Sequence, residues 1–230
     1  MEMIAMNLNK HLDFFNPLKF DNEEINIIGC GAIGSNLANQ LKRLGFKNLV
    51  LYDFDTVDEH NITNQLYTRK DIGTAKVTAL AQHLTKIDEG ENLIIVDHEG
   101  WKPNTKMRGY VFLCVDSIEL RNKILTNEQY NPHIKFITDM RIGLEEAQMY
   151  SADWQNDKAK ERTISTTEFK DDEVTVPVNA CGTSLNVLPT IQMIVSIGVM
   201  NFINFLKNNE YNYQGVIDSI QGIATSYKNK

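Results

Sequence analysis

The chain has 230 residues, of which 42% are hydrophobic, and a formal net charge of -7. Because that hydrophobic content is ample for one core, the composition excludes a disordered protein and predicts a single domain over residues 1–230. Since nucleic-acid phosphates are bound by basic surfaces, the acidic balance argues against nucleic acid as a partner.

Strands and helices alternate through residues 22–140, the expected nucleotide-binding core. Short apolar runs predict strands at residues 25–29, 48–53, 92–96, 110–115 and 135–138. Helical spacing predicts helices at residues 33–44, from an Asp71 cap to about Ile87, and between Asp116 and Tyr130. The alternation predicts an α/β fold, Rossmann-like and doubly wound, with a mainly parallel sheet.

Residues 141–230 are expected to form a crossover loop and a C-terminal part. A short strand is predicted at residues 144–150, followed by a polar loop over residues 151–180. A long helix is predicted over residues 184–207, broken or started afresh at Pro189. The final segment, residues 215–227, suggests two short antiparallel strands around its Gln-Gly pair.

The apolar window at residues 187–206 is long enough for a membrane span, but its proline and its four glutamine, serine and asparagine residues favour a buried core helix. The N-terminal residues lack the apolar stretch of a signal peptide. The three cysteines are far apart and form no C-x-x-C pair, so neither a disulfide framework nor a zinc site is expected. We therefore expect a cytoplasmic protein without a membrane partner.

A glycine-rich turn, GCGAIG, lies between the first predicted strand and the first helix. Gly29 permits the tight turn, Gly31 lets the backbone approach a phosphate, and Gly34 allows close packing of strand on helix. The free N–H groups that follow, at Ala32 and Ile33, offer the positive end of the helix dipole to an anion. A packing turn that binds nothing is the alternative.

Acidic, amide and basic side chains follow the second predicted strand in a fixed order. Asp53 and Asp55 end the strand, Asn61, Asn64 and Gln65 follow in a polar loop, and Lys76 comes one turn into the next predicted helix. Carboxylates can hold ribose and magnesium, amides can bridge ribose and phosphate oxygens, and a lysine brings positive charge to a triphosphate. Each residue alone is typical of a solvated surface, whereas the ordered set indicates a nucleotide site.

This ordered set resembles the ThiF/MoeB/HesA family, which shares a fold with the ubiquitin-activating enzymes. The family pattern is GxGxxG, D-x-D-x-V, N-x-x-R-Q, G-x-x-K and an aspartate after a later strand. The corresponding positions here are Gly29 to Gly34, Asp53, Asp55 and Val57, Asn61 to Gln65, Gly73 and Lys76, and Asp116. The match covers about residues 22–125 and continues more loosely to Cys181 and the final long helix.

The resemblance implies ATP- and Mg²⁺-dependent adenylation of the C-terminal carboxylate of a small ubiquitin-like or sulfur-carrier protein, or of a peptide, by a homodimer. It implies that Asp53 holds the ribose and that Asn61 and Gln65 line the nucleotide pocket. Lys76 would neutralise phosphate charge, and Asp116 would bind the magnesium ion. Zinc-binding cysteine pairs, present in several relatives, are absent from this sequence.

Two positions leave the implied chemistry open. Asn64 replaces the family arginine, so a cation is lost unless Arg69, Arg141 or another residue supplies it. Cys181 precedes a predicted helix, whose dipole would stabilise a thiolate, and it corresponds to the cysteine with which many family members capture the activated carboxylate. An ordinary packed cysteine is the alternative reading of Cys181.

Two other functions compete with adenylation. The glycine turn is shared with NAD(P)- or FAD-dependent oxidoreductases, against which Lys76 and the amide loop argue. The loss of the family arginine at Asn64 also allows a non-catalytic nucleotide-binding protein.

Overall fold

The fold is built on one mixed sheet, as the computed structural model shows for residues 6–88, 93–170 and 185–228. In this described part the sheet has eight strands: β1 (Ile25–Ile28), β2 (Asn48–Tyr52), β3 (Leu93–Asp97), β4 (Gly109–Leu113), β5 (Ile134–Ile142), β6 (Glu146–Asp153), β7 (Asn212–Asp218) and β8 (Ile223–Lys228). Their order is β3-β2-β1-β4-β5-β6-β7-β8. The pairs from β3 to β5 are parallel, and those from β5 to β8 are antiparallel.

Helices cover both faces of the sheet: α1 (Ala32–Leu44), α2 (Lys76–Ile87), α3 (Ile118–Glu128), α4 (Asp157–Ser165) and α5 (Leu188–Asn208). Alternate residues of the central strands β1, β2 and β4 supply two separate cores. Ile27 packs with α1, α2 and α5, whereas its neighbour Ile28 packs in the cluster that contains residues of α3 and α4. The predicted doubly wound α/β fold is therefore confirmed.

The predicted cap at Asp71 is wrong, because α2 begins at Lys76. Asp71 instead ends a short 3-10 helix, Arg69–Asp71, where its carboxylate accepts a hydrogen bond from the backbone N–H of Thr68 at 2.7 Å. Asp71 thus forms a capping box with Thr68 at the 3-10 helix and does not cap α2. An isolated β-bridge then pairs Ala75 with Thr56, and α2 begins directly after it, at Lys76.

The predicted loop over residues 151–180 is wrong where it overlaps two regular elements. Strand β6 extends to Asp153, and α4 follows with Asn156 as its cap, accepting from the backbone N–H of Ala159 at 3.2 Å. Helix α4 buries only Ala159 and Thr163, so it lacks the apolar stripe on which the sequence-based prediction depended. Residues 171–184 of this segment lie outside the described part of the chain.

Helix α5 is unbroken, and Pro189 lies in its first turn, where a missing N–H costs nothing. Among the described residues it is the one helix with the length and mean hydropathy of a membrane span. In the structure it contacts β5, β6, β7 and α1. Its fully buried Phe202 meets the rings of Tyr110 and Phe112 at centroid distances of 4.9 and 5.2 Å. This packing is that of a core helix.

Gly34 gives a first test of the strand–helix junction. A Cβ atom at Gly34 would lie 1.9 Å from the carbonyl oxygen of Gly29, a backbone atom that cannot move without shifting the turn. We therefore expect Gly34→Ala to lower the free energy of unfolding by about 3 kcal/mol or more, at or beyond the upper end of the usual cost of overpacking. Urea denaturation measures the change.

The control is Gly143→Ala, whose added Cβ would make only an ordinary contact, 3.6 Å from the carbonyl oxygen of Glu146. This control should unfold within about 1 kcal/mol of the wild type. A Gly34→Ala protein as stable as the control would contradict the close approach of α1 to the turn.

Candidate nucleotide-binding site

The glycine turn lies at the topological switch point of the sheet. Strand β1 has β2 on one side and β4 on the other, and such a reversal opens a crevice outside the carboxyl ends of the strands. Gly29 has a φ of +90°, and a Cβ there would lie 2.8 Å from the carbonyl oxygen of Cys114. A Cβ at Gly31, by contrast, would meet no atom within 4 Å. The turn is thus packed at Gly29 and open at Gly31, where the sequence predicts a phosphate.

Asp53 fastens this turn to the end of β2. Its carboxylate accepts hydrogen bonds from the backbone N–H groups of Cys30, at 2.6 Å, and Asp55, at 2.8 Å. The residue is only 9% exposed. Burial raises the pKa of the Asp53 carboxyl group, and these two N–H donors oppose that shift. Each oxygen keeps acceptor capacity for a ribose hydroxyl, as predicted from its place after the strand.

Lys76 is brought back to the same end of the sheet by the backbone. The Lys76 N–H donates to the carbonyl oxygen of Asp55 at 2.9 Å, next to the Thr56–Ala75 bridge. Its ammonium group lies 2.8 Å from the Asp55 carboxylate, although the lysine is only 7% exposed. The charge of Lys76 opposes the rise in the pKa of Asp53 that burial causes. The structure therefore brings Asp53, Asp55 and Lys76 together.

The amide residues of the polar loop have different environments. Asn61 acts locally, since its side-chain oxygen accepts from the backbone N–H of Asp58 at 2.8 Å. Asn64 donates its side-chain N–H groups to the side-chain and backbone oxygens of Asn186. The side-chain oxygen of Gln65 is buried and has no hydrogen-bond partner in the structure as described. A buried acceptor of this kind is costly unless a ligand supplies a donor.

Asp116 follows β4 and is exposed. Because β1 lies between β2 and β4, Asp53 and Asp116 follow the two strands on either side of β1, the strand that leads into the glycine turn. The preceding carbonyl, that of Val115, accepts a hydrogen bond from the buried guanidinium of Arg121, which fixes the turn that carries Asp116. The third predicted catalytic residue, Cys181, lies outside the described residues.

Two residues of the site were missed by the sequence-based reasoning. The hydroxyl of buried Tyr67 donates to the carbonyl oxygen of Cys30, inside the glycine turn, at 2.6 Å. The hydroxyl oxygen of Ser35, in the first turn of α1, accepts from the backbone N–H of Leu66 at 3.1 Å. Both hold the polar loop against the turn. No sequence signal marks them, because each contact joins residues more than 30 positions apart.

These features fit ATP and magnesium. The open space at Gly31, the ammonium of Lys76 and the unpaired oxygen of Gln65 match the phosphates and the hydroxyl or amino donors of a nucleotide. Over residues 6–88, 93–170 and 185–228, no cluster of three His, Cys, Asp or Glu residues could enclose a metal. Magnesium does not need such a cluster, because it is usually bound by one or two carboxylates together with the phosphates of the substrate. Asp116 can supply one carboxylate.

The fold is Rossmann-like, and residues 14–229 match the ThiF family. The chain belongs to that family. Similar proteins include ubiquitin-like modifier-activating enzyme 5 of Drosophila willistoni, 29% identical over 124 residues, with 46% of this chain and 30% of the relative covered. The rice (Oryza sativa subsp. japonica) enzyme of the same name is 35% identical over 115 residues, with 42% and 27% covered.

Another relative is the tRNA threonylcarbamoyladenosine dehydratase 2 of Saccharomyces cerevisiae, 25% identical over 151 residues, with 60% of this chain and 33% of the relative covered. The chain thus spans about a third of the length of the curated relatives it matches. The crystal structure of PaaA has a TM-score of 0.70 and 15% identity, covering 91% of this chain and 65% of that one. Escherichia coli MccB with ATP has a TM-score of 0.65 and 15% identity, covering 92% and 65%. These likenesses show the fold.

Gly31 provides a test of phosphate binding. Because a Cβ at Gly31 would meet no atom within 4 Å, we expect Gly31→Ala to fold, with a free energy of unfolding lowered by about 0.5–2 kcal/mol, the range for a change to alanine at an N-cap. The new methyl group would occupy the space over the turn, so the affinity for ATP-Mg²⁺ should fall at least about tenfold. Titration calorimetry measures the affinity, and unchanged binding would place the phosphates elsewhere.

Proposed function

We propose that this chain is an ATP-dependent adenylyltransferase that activates the C-terminal carboxylate of a small ubiquitin-like or sulfur-carrier protein, or of a peptide. The observation that carries the proposal is the position of Lys76, whose buried ammonium group lies 2.8 Å from the carboxylate of Asp55, the residue whose backbone N–H donates to Asp53. A dinucleotide oxidoreductase has no need of a buried lysine at this place, whereas a triphosphate carries charge that the lysine offsets.

The relatives support the same proposal. Several are named ubiquitin-like modifier-activating enzymes, and MccB has been crystallised with ATP and, separately, with MccA. The yeast relative is named for a modified nucleoside of tRNA. The formal charge of -7 on this chain disfavours tRNA as its substrate, because binding of a phosphate backbone depends on lysine and arginine. A protein or peptide carboxylate is therefore the favoured substrate.

In the proposed reaction an oxygen of the substrate carboxylate attacks the α-phosphorus of ATP. A bond forms between them, the bond from the α-phosphorus to the β-phosphate oxygen breaks, and pyrophosphate leaves with the electron pair, so that an acyl adenylate remains. Asp53 orients the ribose, and Lys76 stabilises charge on the phosphates. Asp116 would hold magnesium, which supplies further charge neutralisation on the phosphates.

The cation lost at Asn64 is not replaced in an obvious way by the two arginines that the sequence suggested. Arg69 is exposed and lies 3.8 Å from Glu59. Arg141 donates to the carboxylate of Asp139 at 2.7 and 2.9 Å and to the backbone and side-chain oxygens of Thr166. Removal of one electrostatic donor at a transition state costs about 3 kcal/mol, so the proposal implies slow turnover unless a partner subunit or the substrate supplies a cation.

ATP–pyrophosphate exchange tests the proposal directly. With a small carrier protein encoded nearby and ending in Gly-Gly, the wild type should catalyse exchange, and titration should show binding of ATP-Mg²⁺ but not of NAD. Tight NAD binding without ATP binding would favour an oxidoreductase. ATP binding without exchange, for every carrier and peptide tried, would favour a non-catalytic nucleotide-binding protein.

Lys76→Ala and Asp116→Ala should each abolish detectable exchange, because they remove the phosphate cation and the magnesium ligand. Matched controls are Lys86→Ala, an exposed lysine in the last turn of the same helix, and Glu119→Ala, an exposed acid in the first turn of α3. Both controls should exchange at the wild-type rate. Near-normal exchange in either Lys76→Ala or Asp116→Ala would remove the role assigned to that residue.

Cys181→Ser separates adenylation from a later covalent step. We expect this variant to keep ATP–pyrophosphate exchange, because exchange needs no thiol, and to lose any thiol-sensitive adduct with the carrier. Mass spectrometry and gel shifts with and without reductant detect the adduct. An adduct that persists in Cys181→Ser would leave the cysteine with a structural role only.

A further inference from the structure

Side-chain amides join the polar loop of the site to the two helices beside it. The side-chain NH₂ group of Asn64 donates to the oxygens of Asn186, just before α5, and that of Asn36 donates to the backbone oxygen of Asn64 at 3.1 Å. The side-chain NH₂ of Gln192, in α5, donates to the side-chain oxygen of Asn36 at 2.7 Å. We call these residues the amide network: Asn36, Asn64, Asn186 and Gln192.

The amide network is neutral and directional. Asn36 uses both ends of its amide, since its NH₂ also donates to the carbonyl oxygen of Ala32 at 2.8 Å while its oxygen accepts from Gln192. Asn36 is also buried, and hydrogen bonds between partly buried amides hold groups in one geometry because the alternatives are unsatisfied. The NH₂ of Asn64 donates to Asn186 within this network.

Gln65 follows Asn64, and its buried side-chain oxygen has no hydrogen-bond partner in the structure as described. The Gln65 backbone N–H donates to the carbonyl oxygen of Asn61 at 3.0 Å, and the next N–H, of Leu66, donates to Ser35. The backbone on both sides of Gln65 is therefore fixed, on one side through Asn64 and the amide network. Where the Gln65 oxygen points depends on this fixation.

We propose that Asn64 is a positioning residue: through Asn186 it holds the polar loop so that the Gln65 side-chain oxygen is presented to a hydroxyl or amino donor of the bound nucleotide. The proposal rests on the proposed function only for the identity of that nucleotide as ATP. It assigns to Asn64 a part in binding and none in the chemical step. The amide at this position is then a tether between the loop and α5, and not the remnant of a cation site.

Alanine variants of Asn64 and Asn186 measure how much their contact contributes to ATP binding. Asn64→Ala and Asn186→Ala should each raise the KM for ATP in pyrophosphate exchange about five- to tenfold, the equivalent of one hydrogen bond, and change kcat by less than about twofold. The double variant should be no worse than the worse single variant, because both remove the same contact. Asn208→Ala, an exposed amide at the end of α5, is the control and should leave both constants unchanged.

Asn64→Arg distinguishes a tether from a vacated cation site. If Asn64 is the tether, the arginine displaces Asn186, so the KM for ATP rises as in Asn64→Ala and kcat does not increase. An increase in kcat for Asn64→Arg would overturn the proposal, as would additive effects of Asn64→Ala and Asn186→Ala or a fall confined to kcat.

A measurement without nucleotide keeps this proposal separate from the proposed function. Hydrogen exchange of the backbone N–H groups of Gln65 and Leu66 should accelerate in both Asn64→Ala and Asn186→Ala, by similar factors, and stay unchanged in Asn208→Ala. Unchanged exchange in the first two variants would overturn the tether. If the wild type binds no ATP and hydrogen exchange is nevertheless faster in the two variants, the tether is supported and the adenylation proposal is removed.

Discussion

The site depends first on the buried carboxylate of Asp53. Its two accepted hydrogen bonds, from the N–H groups of Cys30 and Asp55, join the glycine turn to the chain that leads away from β2. Without those donors a carboxylate at 9% exposure would be strongly destabilised. The same aspartate that could hold a ribose is therefore also the residue that fixes the turn, and through Asp55 it fixes the position of Lys76 as well. Fold and site share one anchor here.

The opposite side of the turn is held by charges instead. Asp139 is fully buried and accepts from the guanidinium groups of both Arg121 and Arg141. Arg121 also donates to the carbonyl oxygen of Val115, and Arg141 to Thr166 at the end of α4. A buried salt-bridge cluster of this kind adds little net stability. Removal of one of its charged side chains would leave an uncompensated buried charge, so the three side chains are held in one arrangement. The turn before Asp116 is thus set by long-range ion pairs.

The sequence alone predicts the features that depend on neighbours in the chain. The glycine turn, the strand that ends at Asp53 and the hairpin near the C-terminus all follow from local spacing and are present in the structure. The start of α2 and the existence of α4 were missed, because a capping box at Thr68 and a short polar helix give misleading local patterns. The Asn64–Asn186 contact joins residues 122 positions apart, and no local pattern encodes it.

The Asn64–Asn186 contact ties the polar loop to the start of helix α5. Phe202 and Phe205 place aromatic rings against Tyr110, Phe112 and Phe136 of β4 and β5, so the helix is fixed to the sheet by large apolar contacts. Near its N-terminal end, which Asn186 precedes and where Gln192 lies, the buried side chains of Ile191, Ile194 and Val195 pack in the same core. Because Asn36 belongs to α1, which also packs on α5, the polar loop is bound to two elements that cannot shift separately. The packing of the core thereby determines where the loop, and Gln65 within it, lies.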